Sequence, residues 1–243
     1  MRLTRSFVAL PLRAGETIAL PEDAAAHLVR VLRLQAGDAC VLFNGDGFDR
    51  DARIVSVGKR EVLAEIVATR RVDNESPLAI TLLQGIARGE KMDLILQKAT
   101  ELGVTRILPA SSERSEVKLD AQRADKRVAH WREVVVSACE QSGRARVPEV
   151  AAPQPLAQAA ALREGRGFIL DPFAQQGLAA LQGGALGACT LAIGPEGGWS
   201  PRDREQLAAA GFEGLRLGPR ILRTETAGIA AIAALQAMAG DLG

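Results

Sequence analysis

Cys189–Ser200, CTLAIGPEGGWS, decides how this chain is read. Cys189–Ile193 reads as a short buried strand, it runs directly into the glycine loop Gly194–Ser200, and a helical segment begins near Pro201. Strand, glycine loop and helix in direct succession predict an open α/β sheet. In such sheets ligands sit on loops at the carboxyl ends of strands, because backbone without side chains can approach them closely. The loop is not a P-loop, since it lacks the GxxxxGK[ST] lysine and places Glu196 where phosphate charge would be repelled. It does not match the dinucleotide GxGxxG spacing either, and the bland alternative is a tight strand-to-helix turn with no ligand.

A second loop of the same kind follows in Leu217–Leu235, LGPRILRTETAGIAAIAAL. Gly218 and Pro219 turn the backbone, Thr224 is the expected N-cap, and Glu225 would sit at the positive end of the helix dipole. Ile229, Ile232, Leu235 and Met238 recur at helical spacing with alanine between them, so this helix has almost no polar face. It must be buried, in a core or in a subunit interface. Arg220 and Arg223 on the turn before it are either solvated loop arginines or functional cations. An acidic glycine loop beside them suits a neutral or cationic ligand, which among common nucleoside cofactors points to S-adenosylmethionine and its sulfonium.

Working outward, Leu78–Gln84, Arg106–Pro109, Gly167–Leu170 and Gly214–Leu217 read as further strands. Helices are expected over Lys91–Leu102, with Met92, Ile95, Leu96, Ala99 and Leu102 inward, and over about Ala121–Gln141. Loops after Leu170, Ile193 and Leu217 then share the carboxyl end of a parallel sheet. Toward the amino terminus, Ala39–Phe43, the turn Asn44–Gly47, Ala52–Val57 and Val62–Ala68 predict a small antiparallel sheet or barrel. Glu22–Leu34 has helical period, with Leu28, Val31 and Leu32 on one face and Arg30 and Arg33 on the other. The polar, proline-terminated Arg71–Pro77 is the linker, which gives a first domain over 1–72 and a larger domain over 73–243.

Composition narrows the function classes. An apolar fraction of 47% over 243 residues supports a real core. Cys40, Cys139 and Cys189 are odd in number and far apart, and read as reduced core residues of a cytoplasmic protein rather than as disulfides or zinc ligands. With His27 and His130 the only histidines, no metal site is expected. The amino-terminal apolar run is broken by Pro11 and Arg13, which argues against a signal peptide, and the last helix is too short to span a bilayer. A net charge of +1 leaves no global footprint for nucleic acid, so any RNA surface must be local. Its candidates are Arg2, Arg5, Arg30 and Arg33 in the first domain and Arg144 and Arg146 in the second.

GPEGGWS followed by LGPRILRTETA, with KATELGV (Lys98–Val104), EQSGRARVP (Glu140–Pro148) and HLVRVLRLQAGD (His27–Asp38) upstream, resembles the ribosomal RNA methyltransferases that act on N3 of a uridine in 16S rRNA. The departures are small: Trp199 stands where phenylalanine is common, Ser6 interrupts an aromatic run, and Asp203 replaces a more usual glutamate. The resemblance implies an α/β fold of SPOUT class, in which a carboxyl-terminal parallel sheet ties a deep trefoil knot and dimerises, behind a PUA-like β-barrel. It implies S-adenosylmethionine as cofactor, 16S rRNA within the small ribosomal subunit as partner, and a homodimer with no membrane attachment.

By the same resemblance, backbone at Leu170, Gly194, Leu217 and Leu222, with Pro195, Glu196, Gly197, Gly198, Gly218, Ile221, Thr224, Thr226 and Ala227, would hold the cofactor. Uridine N3 is a poor nucleophile while protonated, so the site needs a base or a cation that stabilises charge on the neighbouring carbonyls. Arg223 suits the cationic role, and Glu225 or Glu196 the role of base. Competing readings are a SPOUT methyltransferase of another RNA site or atom and a non-catalytic RNA-binding module. A dinucleotide-dependent oxidoreductase lacks the required glycine spacing.

Overall fold

The structure, a computed structural model, describes residues 3–115, 121–184 and 186–243. The chain divides into two compact units, one of Met1–Glu75 with Cys139–Val147 and one of Ser76–Ala138 with Pro148–Gly243. Arg144 and Arg146 therefore belong to the first unit and not, as their position in the sequence implied, to the second.

The first unit is a five-stranded sheet of β1 (Arg5–Phe7), β2 (Thr17–Ala19), β3 (Ala39–Phe43), β4 (Phe48–Val57) and β5 (Val62–Arg71), in the order β1-β3-β4-β5-β2. β3, β4 and β5 are antiparallel as their turn residues predict, and Gly45 and Gly47 take positive φ of 89° and 92° in the connection after β3. β1 and β2 went unread, because three residues are too few to show an alternation. Cys40, Leu42, Ala52, Ile54, Ala64 and Ile66 project from one face into a core with Leu20 and Leu28. The alternate residues of the same strands, among them Arg5, Val41, Phe43 and Asp49, form a second buried face. Cys139–Val147 lies against it, tied by Arg5 to the carbonyls of Cys139 and Arg144 and by the Phe7 amide to Glu140.

The expected helix over Glu22–Leu34 is interrupted. A single α-turn, α1 (Glu22–Ala25), passes into a π-helical stretch, Ala26–Val31, whose i→i+5 bonding is seen in Leu32 N–H to the His27 carbonyl at 3.0 Å. The wider turn breaks the three-and-four spacing, so Leu28 is buried while Val31 and Leu32 are 66% and 40% exposed, against the inward face expected of them. Arg33 ends the segment in the left-handed region, at φ 60°.

The second unit is a parallel sheet. β6 (Ala79–Gly85), α2 (Glu90–Glu101), β7 (Val104–Ser111), α3 (Ala121–Ser142), the short β8 (Glu149–Val150) and β9 (Gln154–Pro155), and α4 (Leu156–Ala161) come first. β10 (Arg166–Leu170), β11 (Ala188–Ile193), α5 (Pro201–Ala209), β12 (Phe212–Leu215) and α6 (Thr224–Ala239) complete it, with strand order β12-β10-β11-β6-β7-β8 and β9 on β7. β12 ends two residues before the expected Leu217, so the following loop is longer than the sequence suggested. Leu83, Leu108, Ile169 and Ala192 form one core with α4, Trp199, Leu207 and Phe212. Leu82, Leu191 and Ile193 alternate to the other side, where α6 comes so close that a Cβ on Gly228 would lie 3.0 Å from Ile193. α5 starts with a capping box: Ser200 Oγ accepts from the Asp203 amide at 3.1 Å, and the Asp203 carboxylate accepts from the Ser200 amide at 2.9 Å. Aspartate therefore serves at this position.

α6 buries Gly228, Ala231, Ile232, Leu235 and Gln236, and leaves Ile229, Ala230, Ala233, Ala234 and Met238 half-covered. The polar Gln236 is fully satisfied, donating to the Leu102 carbonyl at 2.9 Å and accepting from Ser76 Oγ at 2.6 Å. The cysteines are unpaired and buried, and burial pushes the thiols up to about 11 at Cys40 and about 12 at Cys139 and Cys189. No helix among the described residues is long and apolar enough to cross a membrane.

Candidate functional site

The glycine loop is held by close backbone packing. A Cβ on Gly85, at the end of β6, would fall 2.5 Å from Pro195 Cδ and 2.7 Å from its nitrogen. One on Gly194 would lie 3.0 Å from the Gly198 backbone, and Gly198 itself, at φ 65°, donates its amide to the Pro195 carbonyl at 2.8 Å. Only glycine permits this curl. Thr224 joins the second loop to the first: its hydroxyl donates to the Gly194 carbonyl at 2.6 Å and accepts from Gln84 Nε2 at 3.1 Å. It is therefore not the N-cap of α6. Arg223 holds the cap position without a side-chain bond, and the Thr224 hydroxyl is committed to the inter-loop contact.

Between the loops lies a cavity of about 510 Å³. It brings together Leu170, Gly194, Pro195, Glu196, Gly197, Gly198, Ile221, Leu222, Arg223, Thr224, Glu225 and Ala227, all of them expected from the sequence. Leu217 and Gly218 line a smaller hollow that shares Leu170, Ile221, Leu222 and Ala227 with the first. Thr226 is exposed and lines neither, since one residue along a helix turns its side chain away from the cavity its neighbours face. Sequence reasoning missed Lys91, Arg114, Phe173 and Arg204, which come from other loops and helices. The one available signal was Glu196 itself, a carboxylate in a glycine loop that calls for a cation.

That cation is Lys91, whose Nζ lies 3.3 Å from Glu196 Oε1, and the same oxygen accepts from the Arg88 amide at 3.2 Å. Burial pushes the Glu196 carboxyl up, but its backbone hydrogen bonds and Lys91 outweigh this and hold it below the usual carboxylate range. Such a group is a clamp more than a proton acceptor. Arg114 donates to the Gly197 carbonyl at 3.0 Å, and Arg204 pairs with Asp171. Arg223 is exposed at the cavity edge, its guanidinium without an acidic partner among the described residues. Glu225 differs from Glu196: its Oε2 is buried and meets no hydrogen-bond partner among the described residues. No cluster of three or more metal-ligating side chains occurs among the described residues.

The first unit sorts the expected RNA-binding arginines. Arg5 and Arg144 are 7% and 4% exposed, Arg5 pairing with Asp49 at 2.7 Å and Arg144 with Glu75 at 2.5 Å. Their charge is spent inside the fold, and they are withdrawn as phosphate contacts. Arg30, Arg33 and Arg146 are exposed. Arg2 lies outside the described residues. Lys59 and Arg60, unnoticed in the sequence because they sit in a turn, join Arg30 around a groove of about 350 Å³.

Comparison with known proteins extends this picture. The profile of an RNA methyltransferase domain matches residues 74–236, and that of an RNA methyltransferase PUA domain matches residues 20–67. The chain is 34% identical to the ribosomal RNA small subunit methyltransferase E of Buchnera aphidicola, over 99% of this chain and 98% of that protein. Among solved structures, it is similar to a ribosomal RNA small subunit methyltransferase E of Neisseria gonorrhoeae bound to S-adenosylmethionine, with 42% identity and a TM-score of 0.94 over 100% of both chains. A methyltransferase of Legionella pneumophila, also with S-adenosylmethionine bound, gives 38% identity and a TM-score of 0.94 over 100% of both chains.

Proposed function

The chain belongs to the ribosomal RNA small subunit methyltransferase E family, and from that premise we propose that it transfers the methyl group of S-adenosylmethionine to N3 of a uridine in 16S rRNA. The observation that carries the reading is the glycine-loop cavity with Arg223 and a buried carboxylate oxygen of Glu225, unpartnered among the described residues, on one turn of its wall.

The cavity fits the cofactor. Its volume lies in the range of small-molecule sites, and its apolar lining of Leu170, Ile193 and Leu222 suits the adenosine while the glycine backbone admits close approach. When bound, S-adenosylmethionine supplies an electrophilic methyl group on a sulfonium. The protein's own residues then orient the nucleophile. Arg223 stabilises charge developing on the uridine carbonyls, and Glu225 takes the N3 proton. Glu196, held ionised by Lys91 and the Arg88 amide, keeps the loop in place.

N3 lies on the Watson-Crick edge, so the base must leave any pairing before it reacts. Arg30, Arg33, Lys59, Arg60 and Arg146 would position the surrounding RNA through its phosphates. The half-covered alanine face of α6 suits packing against a second copy, because small side chains let helices approach closely, and the unpaired thiols suit the cytoplasm. The trefoil knot belongs to the same proposal and rests on membership of the family.

The test is to incubate the protein with methyl-labelled S-adenosylmethionine and either small subunits or free 16S rRNA, then map the label by mass spectrometry. N3-methyluridine at one position is the expected product. Label on another atom or another RNA would mean a methyltransferase of different specificity, and RNA binding with no transfer would mean a non-catalytic module.

A further inference from the structure

The second sheet face of the first unit holds a cleft that the methyl-transfer chemistry does not use. Leu3, Val41 and Val72 supply its apolar walls, and Arg5, Asp49, Arg70 and Ser142 its polar ones, around about 350 Å³. At its floor Asp49, 3% exposed, accepts from Arg5 at 2.7 Å and from Arg70 at 3.0 Å, one guanidinium on each oxygen. Each carboxylate oxygen retains a second acceptor position. Arg5 is a structural group, anchored to two carbonyls and lying 4.5 Å from the Phe43 ring centroid, yet its buried Nε meets no acceptor among the described residues. The buried hydroxyl of Ser142 likewise meets no partner among them. Arg70 is half-exposed and offers a flat guanidinium at the edge.

We propose that this cleft binds a second, unpaired base of the RNA, distinct from the uridine that is methylated. A planar heterocycle fits between apolar walls and a guanidinium plane, as unstacked RNA bases do elsewhere. The acceptor at the floor sets the preference. Asp49 takes a hydrogen bond from an exocyclic amino group, which adenine, cytosine and guanine carry and uracil lacks; the one edge donor of uracil, N3–H, is flanked by two carbonyl oxygens that the carboxylate repels. Ser142 donates to a ring nitrogen or carbonyl of the same base. The proposal rests on the reading of RNA as substrate, but it adds a position that is read by its base and not by its phosphate.

Fluorescently labelled hexamers of oligo(A), oligo(C) and oligo(U), titrated with the full chain, test it. The wild type binds the A or C hexamer about tenfold more tightly than the U hexamer, the discrimination expected of one well-made base contact. Ser142→Ala and Arg70→Ala, neither of which empties the core, reduce that preference to under about threefold while S-adenosylmethionine affinity stays unchanged. Equal binding of the three hexamers by the wild type overturns the proposal. So does an equal fall for all three in the variants, which would reduce the cleft to a phosphate contact. Methyl transfer to 16S rRNA measured on the same protein samples separates the outcomes: equal hexamer binding by a wild type that still transfers removes the base cleft alone, and absent transfer by the wild type removes the functional reading.

Discussion

The two polar regions of this chain are built on opposite plans. The cavity of the second unit is shaped by close main-chain packing, with glycines at Gly85, Gly194 and Gly198 letting loops touch and the Thr224 hydroxyl joining one loop to the other. The second sheet face of the first unit is made of charge, with Asp49 between Arg5 and Arg70 and Arg144 on Glu75. Backbone recognition tolerates almost no change in shape, whereas a buried ion network tolerates almost no change in charge. The first plan suits a small cofactor that must be held in one pose, and the second suits a face whose charges are paired within the fold.

The comparison breaks first at Asp49. Asp49→Ala strands Arg5 in a buried site and should destabilise the protein by about 3–5 kcal/mol in denaturant melts, while S-adenosylmethionine affinity at low temperature is retained. Equal loss of both would mean the regions are not separate in plan. Next comes Gly85→Ala, whose new methyl meets the Pro195 nitrogen and displaces the loop. A loss of about 100-fold in cofactor affinity by calorimetry, about 2.7 kcal/mol, is expected, with RNA binding little changed. Thr224→Val should cost about 1–2 kcal/mol of cofactor binding, because the Gly194 carbonyl and the Gln84 amide both lose a buried partner.

The smallest effect is at Glu196. Its carboxyl is held below the usual range in the folded protein, so the clamp it makes contributes above the unfolded value and is lost as pH falls through the folded one. Cofactor affinity should thus decline only below pH about 4.5, and Glu196→Gln should remove that dependence and cost about threefold at neutral pH, as befits an exposed pair.

The contrast also explains what could be read in advance. Gly194–Gly198 and Leu217–Ala227 stand out in the sequence because a backbone site needs glycine, proline and a helix start in unbroken order. The longer strands and the helices that flank them were legible for the same reason, whereas the two-residue β8 and β9 were not, and strand ends moved where, as at Leu215, nothing in the side chains marks the last pairing. Side-chain networks carry no such local mark. Arg5, Asp49, Arg70 and Ser142 come from four separate segments, and Arg144 looked like a surface arginine until Glu75 was found beside it. The π-helical turn at Ala26–Val31 was hidden because its residues keep an ordinary helical spacing in sequence while the backbone does not.

Whether backbone holds the cofactor while side chains perform the transfer is tested most directly by Arg223→Ala, with calorimetric titration of S-adenosylmethionine run beside single-turnover methyl transfer. Cofactor affinity within about threefold of wild type with transfer slowed at least about 100-fold is the predicted result. Affinity and transfer both intact, or both lost together, would contradict it.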